Sequence, residues 1–496
     1  MRILIATLTL VLCVPVYAVQ TSSESTDPRI DEILLLVRQQ SSELREQKAL
    51  IRKQGQRIDV MQGELNMLRT PASPDDRAAS PLRTSTSKVP ALASTAESEE
   101  TPGEQQAAVA DATSLSTDDV GKDGADAQED DPTRAVLDSM PGAIRLPGTN
   151  AVLRWGGFVK AAFVQSFDPL AITDRFITGA IPTTDTPGVE EENDITVSQS
   201  RLSFDLREPT DVGLLRGFIE ADFAEQNDTF RLRHAFAQRG NALVGKTWSG
   251  FVDPTASPEE IDFEGLNGRI NVRQAQLRFQ PRIARRYEMS VSLEDPAPRV
   301  TGGEGVSQIP DLVASGRINF GDDIHLRVAA LFRQVRAQWD VDPSRTETST
   351  GWGLSLSGRI DAQRWNSRDK ILFQLNAGKG YGRYVNDLRS VGDFDGVFSP
   401  TGDLELIDVL AGYISGQHWW NSELRSSLTI GFVKLNNPSF VPDDFYQRTY
   451  RASANLIWSP FERVDIGGEL LWGRRKNEDG SSGDALQMQM AVKYLF

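Results

Sequence analysis

From about residue 150 to the last residue, apolar and polar side chains alternate along the chain with a period of two. In HLRVAALFRQV, Leu326, Val328, Ala330 and Phe332 fall on one face, and His325, Arg327 and Arg333 on the other. In ITVSQSRLSFDLR, the pattern sets Thr196, Ser198, Ser200, Leu202, Phe204 and Leu206 against Gln199, Arg201, Ser203, Asp205 and Arg207. Successive side chains of a β-strand point to opposite faces, so each such segment predicts a strand with one apolar and one polar face. Sixteen segments follow this rule, from 152–167 through 194–207 to 484–496. Their connections alternate between short ones such as EPTDV, GDD and SPFE and long ones such as 168–193 and 381–403. The final MQMAVKYLF continues the alternation, with Met488, Met490, Val492, Tyr494 and Phe496 on one face.

Two architectures use many alternating strands. A soluble sandwich turns its apolar faces inward, whereas a membrane barrel turns them to lipid and its polar faces to a wet lumen. Strands of about 10 residues or more match a tilted crossing of the hydrocarbon layer. Alternating short and long connections fit a barrel with two unlike rims. Trp155, Trp248, Trp419, Trp420, Trp458 and Trp472 lie near strand ends, where an interfacial girdle is expected. The fold class is therefore all-β: a 16-stranded antiparallel transmembrane β-barrel over residues 150–496.

The N-terminal third reads differently. Residues 1–18, MRILIATLTLVLCVPVYA, have the form of a secretory signal peptide: an Arg, an apolar run and a small-residue end. Residues 28–69 predict an α-helical coiled coil. Ile30, Val37, Leu44, Ile51, Ile58 and Leu65 recur every seven residues, each accompanied three residues on by Ile33, Gln40, Gln47, Gln54, Met61 and Leu68. Residues 70–149 are expected to form an acidic, disordered linker. Within them, 71–133 hold fourteen acidic residues against four basic ones and no aromatic residue, so too little apolar surface is available to offset ordering. Most of the chain's net charge of −16 thus resides outside the barrel. An acidic chain of this kind argues against a nucleic-acid partner.

If the apolar faces meet lipid, the opposite faces line a channel. Parity then sends Lys160, Arg201, Arg207, Arg231, Arg233, Arg278, Arg317 and Arg327 inward, with Arg333, Arg359, Arg425 and Arg451. It also sends inward the acids Asp205, Glu220, Asp222, Glu288, Glu294, Asp408, Asp465 and Glu469. The cationic excess would concentrate anions, and guanidinium forks suit carboxylates. Part of these arginines are expected to do no more than pair with neighbouring acids. The connection GFVDPTASPEEIDFEGLNG carries Asp253, Glu259, Glu260, Asp262 and Glu264. Folded inward, it would narrow an otherwise wide pore and oppose its acids to the arginines of the wall.

The stretch VGKTWSGFVDPTASPEEIDFEGLNGRINVRQAQLRF resembles the strand-five, constriction-loop and strand-six region of the DcaP-like trimeric outer-membrane porins. RLRHAFAQ, SRLSFDLRE, GKGYGRY, GGELLWGRR and the terminal YLF are similar to further segments of that family. The resemblance implies a homotrimer of sixteen-stranded barrels among the lipids of a Gram-negative outer membrane, passing small anionic solutes, dicarboxylates typically. It places substrate contacts at Arg201, Arg231, Arg233 and Arg278, and the coiled coil in the periplasm. The terminal Phe496 resembles the signature that outer-membrane assembly machinery recognises.

An enzyme is the main competing class. Its nucleophile and base, or metal cluster, find no counterpart here. His234, His325 and His418 are far apart in sequence, and parity puts His234 on the lipid face beside Phe236. Cys13 is the single cysteine and lies in the signal segment. No catalytic residue, metal or cofactor is expected. The remaining alternative is a non-selective diffusion porin whose coiled coil tethers it to the cell wall.

Overall fold

A computed structural model describes residues 131–184, 191–224, 228–284, 286–321, 324–362 and 366–496. The signal segment, the coiled coil and most of the acidic stretch lie outside the described residues. Within the remainder of that stretch, Pro132–Asp138 form helix α1. Pro132 opens it at a position where a missing N–H costs nothing, and Asp131 Oδ1 accepts from Thr133 N at 3.0 Å. Ile144–Arg145 then pair with Leu153 and Val152, the start of the first long strand.

Sixteen strands form the wall: β1 Val152–Ser166, β2 Arg201–Thr210, β3 Gly213–Asp222, β4 Arg231–Arg239, β5 Ala242–Trp248, β6 Arg273–Phe279, β7 Tyr287–Glu294, β8 Asp311–Asn319, β9 His325–Trp339, β10 Thr346–Asp361, β11 Lys370–Lys379, β12 Asp408–Trp419, β13 Leu424–Asn436, β14 Tyr446–Phe461, β15 Val464–Asn477 and β16 Ser482–Leu495. Each pairs antiparallel with its neighbours in the chain, and β1 pairs with β16. At this seam Gly157 and Phe496 exchange backbone hydrogen bonds of 3.1 and 3.3 Å. The wall is therefore a closed barrel without an edge, and every strand's backbone is satisfied inside a medium that offers no partners. Strands β2–β8 are short, with 7 to 10 residues, and the others span 10 to 16.

The alternation sorts side chains as the membrane requires. On β9, Val328 and Phe332 are 52% and 57% exposed on the outer face, while His325, Arg327 and Arg333 are buried within. Four positions depart from the expected parity, each for a local reason. The second strand is broken: Glu192–Thr196 pair separately with β1, a turn closed by Ser200 N to Val197 O intervenes, and β2 begins at Arg201. His234 faces inward, not to lipid. A register shift opposite Glu220 and Ala221 inserts one extra residue into β4, so that Arg233 and His234 are both buried. Asp408 points outward, opposite Lys379, because Val409 and Ala411 are drawn inside by an apolar interior cluster. Trp248 and Trp419 also leave the expected girdle for the interior. Arg273 lies 4.9 Å over the ring of Trp248, and Arg425 lies 5.2 Å over that of Trp419.

That interior cluster arises because two long connections, 249–272 and 380–407, fold into the barrel. Phe251, Val252 and Ile270 of the first meet Tyr381, Tyr384 and Leu388 of the second, against Leu331, Val409 and Val433 of the wall. The second connection forms helix α2, Asn386–Val391. Gly268 shows how closely the first connection lies on the wall. A Cβ there would fall 2.4 Å from the carbonyl oxygen of Gly412 and 2.5 Å from that of Phe432, so only glycine allows the approach.

Candidate functional site: the lumen and its constriction

The acids of connection 249–272 are spent on fastening it. Asp253 is hydrogen-bonded to His325 Nε2 at 2.9 Å and accepts from Ser357 Oγ at 2.6 Å. Glu259 accepts from Arg425 Nε at 2.6 Å. Arg451 spans two acids, donating to Glu260 at 2.5 Å and Asp262 at 3.1 Å. Asp262 also accepts from Gln489 Nε2 at 2.8 Å and from Phe176 N at 3.0 Å. From the wall, Glu469 receives the backbone N–H groups of Ile261 and Asp262 at 2.6 and 2.7 Å. Lys160 completes the seat by donating to the carbonyl of Ile261 at 2.7 Å.

Near the root of the connection, Arg327 donates to the carbonyls of Gly250 and Phe251, and Arg317 to Thr255 Oγ1 at 2.9 Å. Arg278 donates to the Trp248 carbonyl and, at 2.6 Å, to Gln276 Oε1. At the far end, Glu264 lies on the connection itself, outside the membrane-spanning strands, and is fully buried against α2, where Ser390 Oγ donates to it. Burial pushes its carboxyl up to about 7, against the opposing pull of Arg175.

Across the lumen, arginines of the short strands hold carboxylates of the same strands. Arg231 grips Asp222 through two nitrogens, at 2.6 and 2.8 Å. Arg233 donates to Glu220 and Asp222, each at 2.9 Å, and Arg201 stands 3.5 Å from Glu220. This trio confronts the tip of the connection, since Arg231 lies 5.4 Å over the ring of Phe263. Arg201 and Arg233 thus share Glu220, and Arg231 and Arg233 share Asp222. Arg207 is not part of the trio. It shares Asp205 with Arg216 and Arg154, towards the rim of short connections at 211–212.

Below the tip, on the same rim side, opens a cavity of about 740 Å³ bounded by Lys160, Arg201, Arg359, Arg368, Lys370, Arg425, Arg463 and Lys493, with Glu259, Glu260, Glu462 and Asp465. Eight basic residues against four acids give this mouth a positive field.

Of the residues singled out from the sequence, Arg201, Arg231 and Arg233 come together opposite the loop tip, and Arg278, Arg317 and Arg327 gather at the loop root. The five acids of the connection mostly pair with other partners than those arginines. Parity overlooked Arg216, although Glu220, four residues on along β3, marks its face. Arg175 and Arg269, on connections without periodicity, carry no such mark. Arg175 lies 5.2 Å over the Phe263 ring, which Arg231 also covers, and Arg269 donates to the Glu264 carbonyl at 2.9 Å.

A closed barrel of sixteen antiparallel strands, with apolar residues outward, charged residues inward and a connection seated inside, defines a porin: a diffusion channel of the outer membrane. The sequence matches the profile of the DcaP outer membrane protein over residues 153–496, and the chain belongs to that family. Its structure is similar to that of the outer membrane channel DcaP of Acinetobacter baumannii, at 21% identity and a TM-score of 0.63, over 72% of this chain and 100% of the other. It is also similar to an anion-selective porin from Comamonas acidovorans, at 9% identity and a TM-score of 0.49, over 70% and 100% of the two chains. A deletion mutant of OmpT of Vibrio cholerae aligns at 13% identity and a TM-score of 0.46, over 70% and 99%. No curated protein sequence matches the chain.

Proposed function

We propose that this outer-membrane channel takes up small anions passively, with dicarboxylates as the preferred class. The observation that carries the reading is the trio Arg201, Arg231 and Arg233, which faces the loop tip above the basic mouth. A guanidinium fork recognises a carboxylate through two parallel hydrogen bonds. A solute carboxylate arriving there exchanges with Glu220 and Asp222 for the guanidinium forks, while the basic mouth below draws anions toward it. Arg278, Arg317 and Arg327 extend the cationic path along the loop root, and Arg207 and Lys160 extend it to the mouth. The loop acids Asp253, Glu259, Glu260, Asp262 and Glu264 hold in place the connection that forms the opposite side of the constriction. Three copies assemble side by side, and the coiled coil of residues 28–69 extends into the periplasm. Phe496 serves as the handle for the assembly machinery.

The pairing of the trio with strand carboxylates favours one competing reading, a general diffusion porin without charge preference. Reversal potentials across a salt gradient separate the two. The wild type is expected to prefer anions, and Arg231→Ala combined with Arg233→Ala to bring that preference close to the neutral value. A wild-type channel that treats both ions alike sinks the anion reading, and a protein that never conducts sinks the channel itself.

A further inference from the structure

The outer face of the barrel carries one arrangement that conduction does not use. At the rim of long connections, Lys434 on β13 stands directly opposite Arg448 on β14, which stands directly opposite Lys476 on β15. Their parity is outward, because Val433 and Leu435, Thr449 and Asn477 are the buried neighbours on the same strands. Like charges placed opposite one another across strands destabilise a sheet unless something neutralises them. Among the described residues no carboxylate makes an ion pair with any of the three. Glu478 accepts from the amides of Asn437 and Gln447, each at 2.8 Å, and Asp484 sits 3.9 Å from a fourth cation, Arg474.

Position decides what the missing anion is. Directly below the row begins the apolar belt: Tyr450 at 44% exposure, Trp472 at 40%, then Ile430, Leu456 and Leu470. Aromatic residues mark the level where hydrocarbon gives way to headgroups. The row of cations therefore stands at headgroup height on the rim of long connections, the outward-facing one in a barrel of this kind. A ligand that fits must carry anionic groups above and acyl chains below, side by side along three strands.

We propose that Lys434, Arg448 and Lys476 form a binding site for the phosphate groups of a phosphorylated glycolipid of the outer leaflet, with Arg474 at its lower edge. The acyl chains lie against the belt beneath. The proposal rests on the outer-membrane location, but not on the solute preference of the lumen.

Native mass spectrometry of the detergent-purified full chain tests it, using bisphosphorylated lipid A and the same lipid with its phosphates removed. The wild type should retain the phosphorylated form and bind the dephosphorylated one at least about tenfold more weakly, since each cation near a headgroup surface adds to the attraction. A triple Lys434→Gln, Arg448→Gln, Lys476→Gln variant should lose that difference while keeping wild-type conductance and reversal potential. Should the triple variant fail to fold, Arg448→Gln alone is expected to lose part of the preference. Inorganic phosphate at millimolar concentration should not displace the lipid. Equal retention by the wild type and a folded variant, equal binding of the two lipids, or displacement by phosphate alone would overturn the proposal.

Discussion

The two sides of the lumen use the same residues to opposite ends. On strands β2–β4, arginines find their carboxylates one strand away, in Asp205, Glu220 and Asp222, so these charges form a finished surface of the wall. On the taller side, arginines reach for carboxylates carried by connections. Arg425 takes Glu259, Arg451 takes Glu260 and Asp262, and Arg333 takes Asp395 at 3.0 Å alongside Asp311 of the wall. Buried guanidinium groups thus either decorate the passage or build it. The difference lies in how far along the chain the partner sits: about ten residues on one side and nearly two hundred on the other.

This contrast can be broken most forcefully at Arg451. Replacing it by Met leaves Glu260, Asp262 and Glu469 facing one another in a buried site, at a cost of roughly 3–5 kcal/mol. Arg451→Met should lower the unfolding temperature of the barrel and give larger, noisier single-channel currents as the loop leaves its seat. The double exchange of Arg231 and Arg233 should instead change ion preference with little added noise. Equal noise from both would erase the distinction between the two sides.

A milder test concerns Glu264, where the connection meets α2. Its carboxyl is raised from the ordinary 4.5 to about 7, chiefly by burial. Between these values the folded protein binds a proton that the unfolded chain does not. The contribution is fully present below about pH 4.5 and is lost as pH rises through 7. Glu264→Gln should therefore flatten the part of the stability profile between about pH 4.5 and pH 7, seen as the difference between variant and wild-type melting curves. The smallest effect is expected at Asp403, whose pairing with Arg345 at 2.9 Å lies in water on the outer connections. Asp403→Asn should leave melting and current unchanged within error, since exposed pairs contribute little.

The wall was legible from the sequence because a membrane enforces alternation on every strand, and Leu326, Val328 and Phe332 obey it. Alternation fails where the lumen is not wet. Trp248 and Val409 turn inward because the connections bring apolar surface of their own, which no local pattern announces, and Trp419 turns inward beneath Arg425 at the mouth. His234 escaped because a single extra residue in β4 reverses the face without changing composition. The loop acids were recognisable as a group, but their partners were not. Pairs such as Glu260 with Arg451 join positions that nothing in the order of residues connects, and topology alone brings them to contact. The glycines of GKGYGRY precede α2, the helix against which Glu264 is buried.

The contact at Gly268 has a consequence of another kind. There the loop meets the wall backbone to backbone, at Gly412 and Phe432, and Asn376 of the wall donates to the Gly268 carbonyl at 3.0 Å. At this one point the height of the loop above the wall is set by the main chain, whereas elsewhere charged pairs seat it. Over evolutionary time, the charged lining can be rewritten for a different solute while the height at this point stays constant.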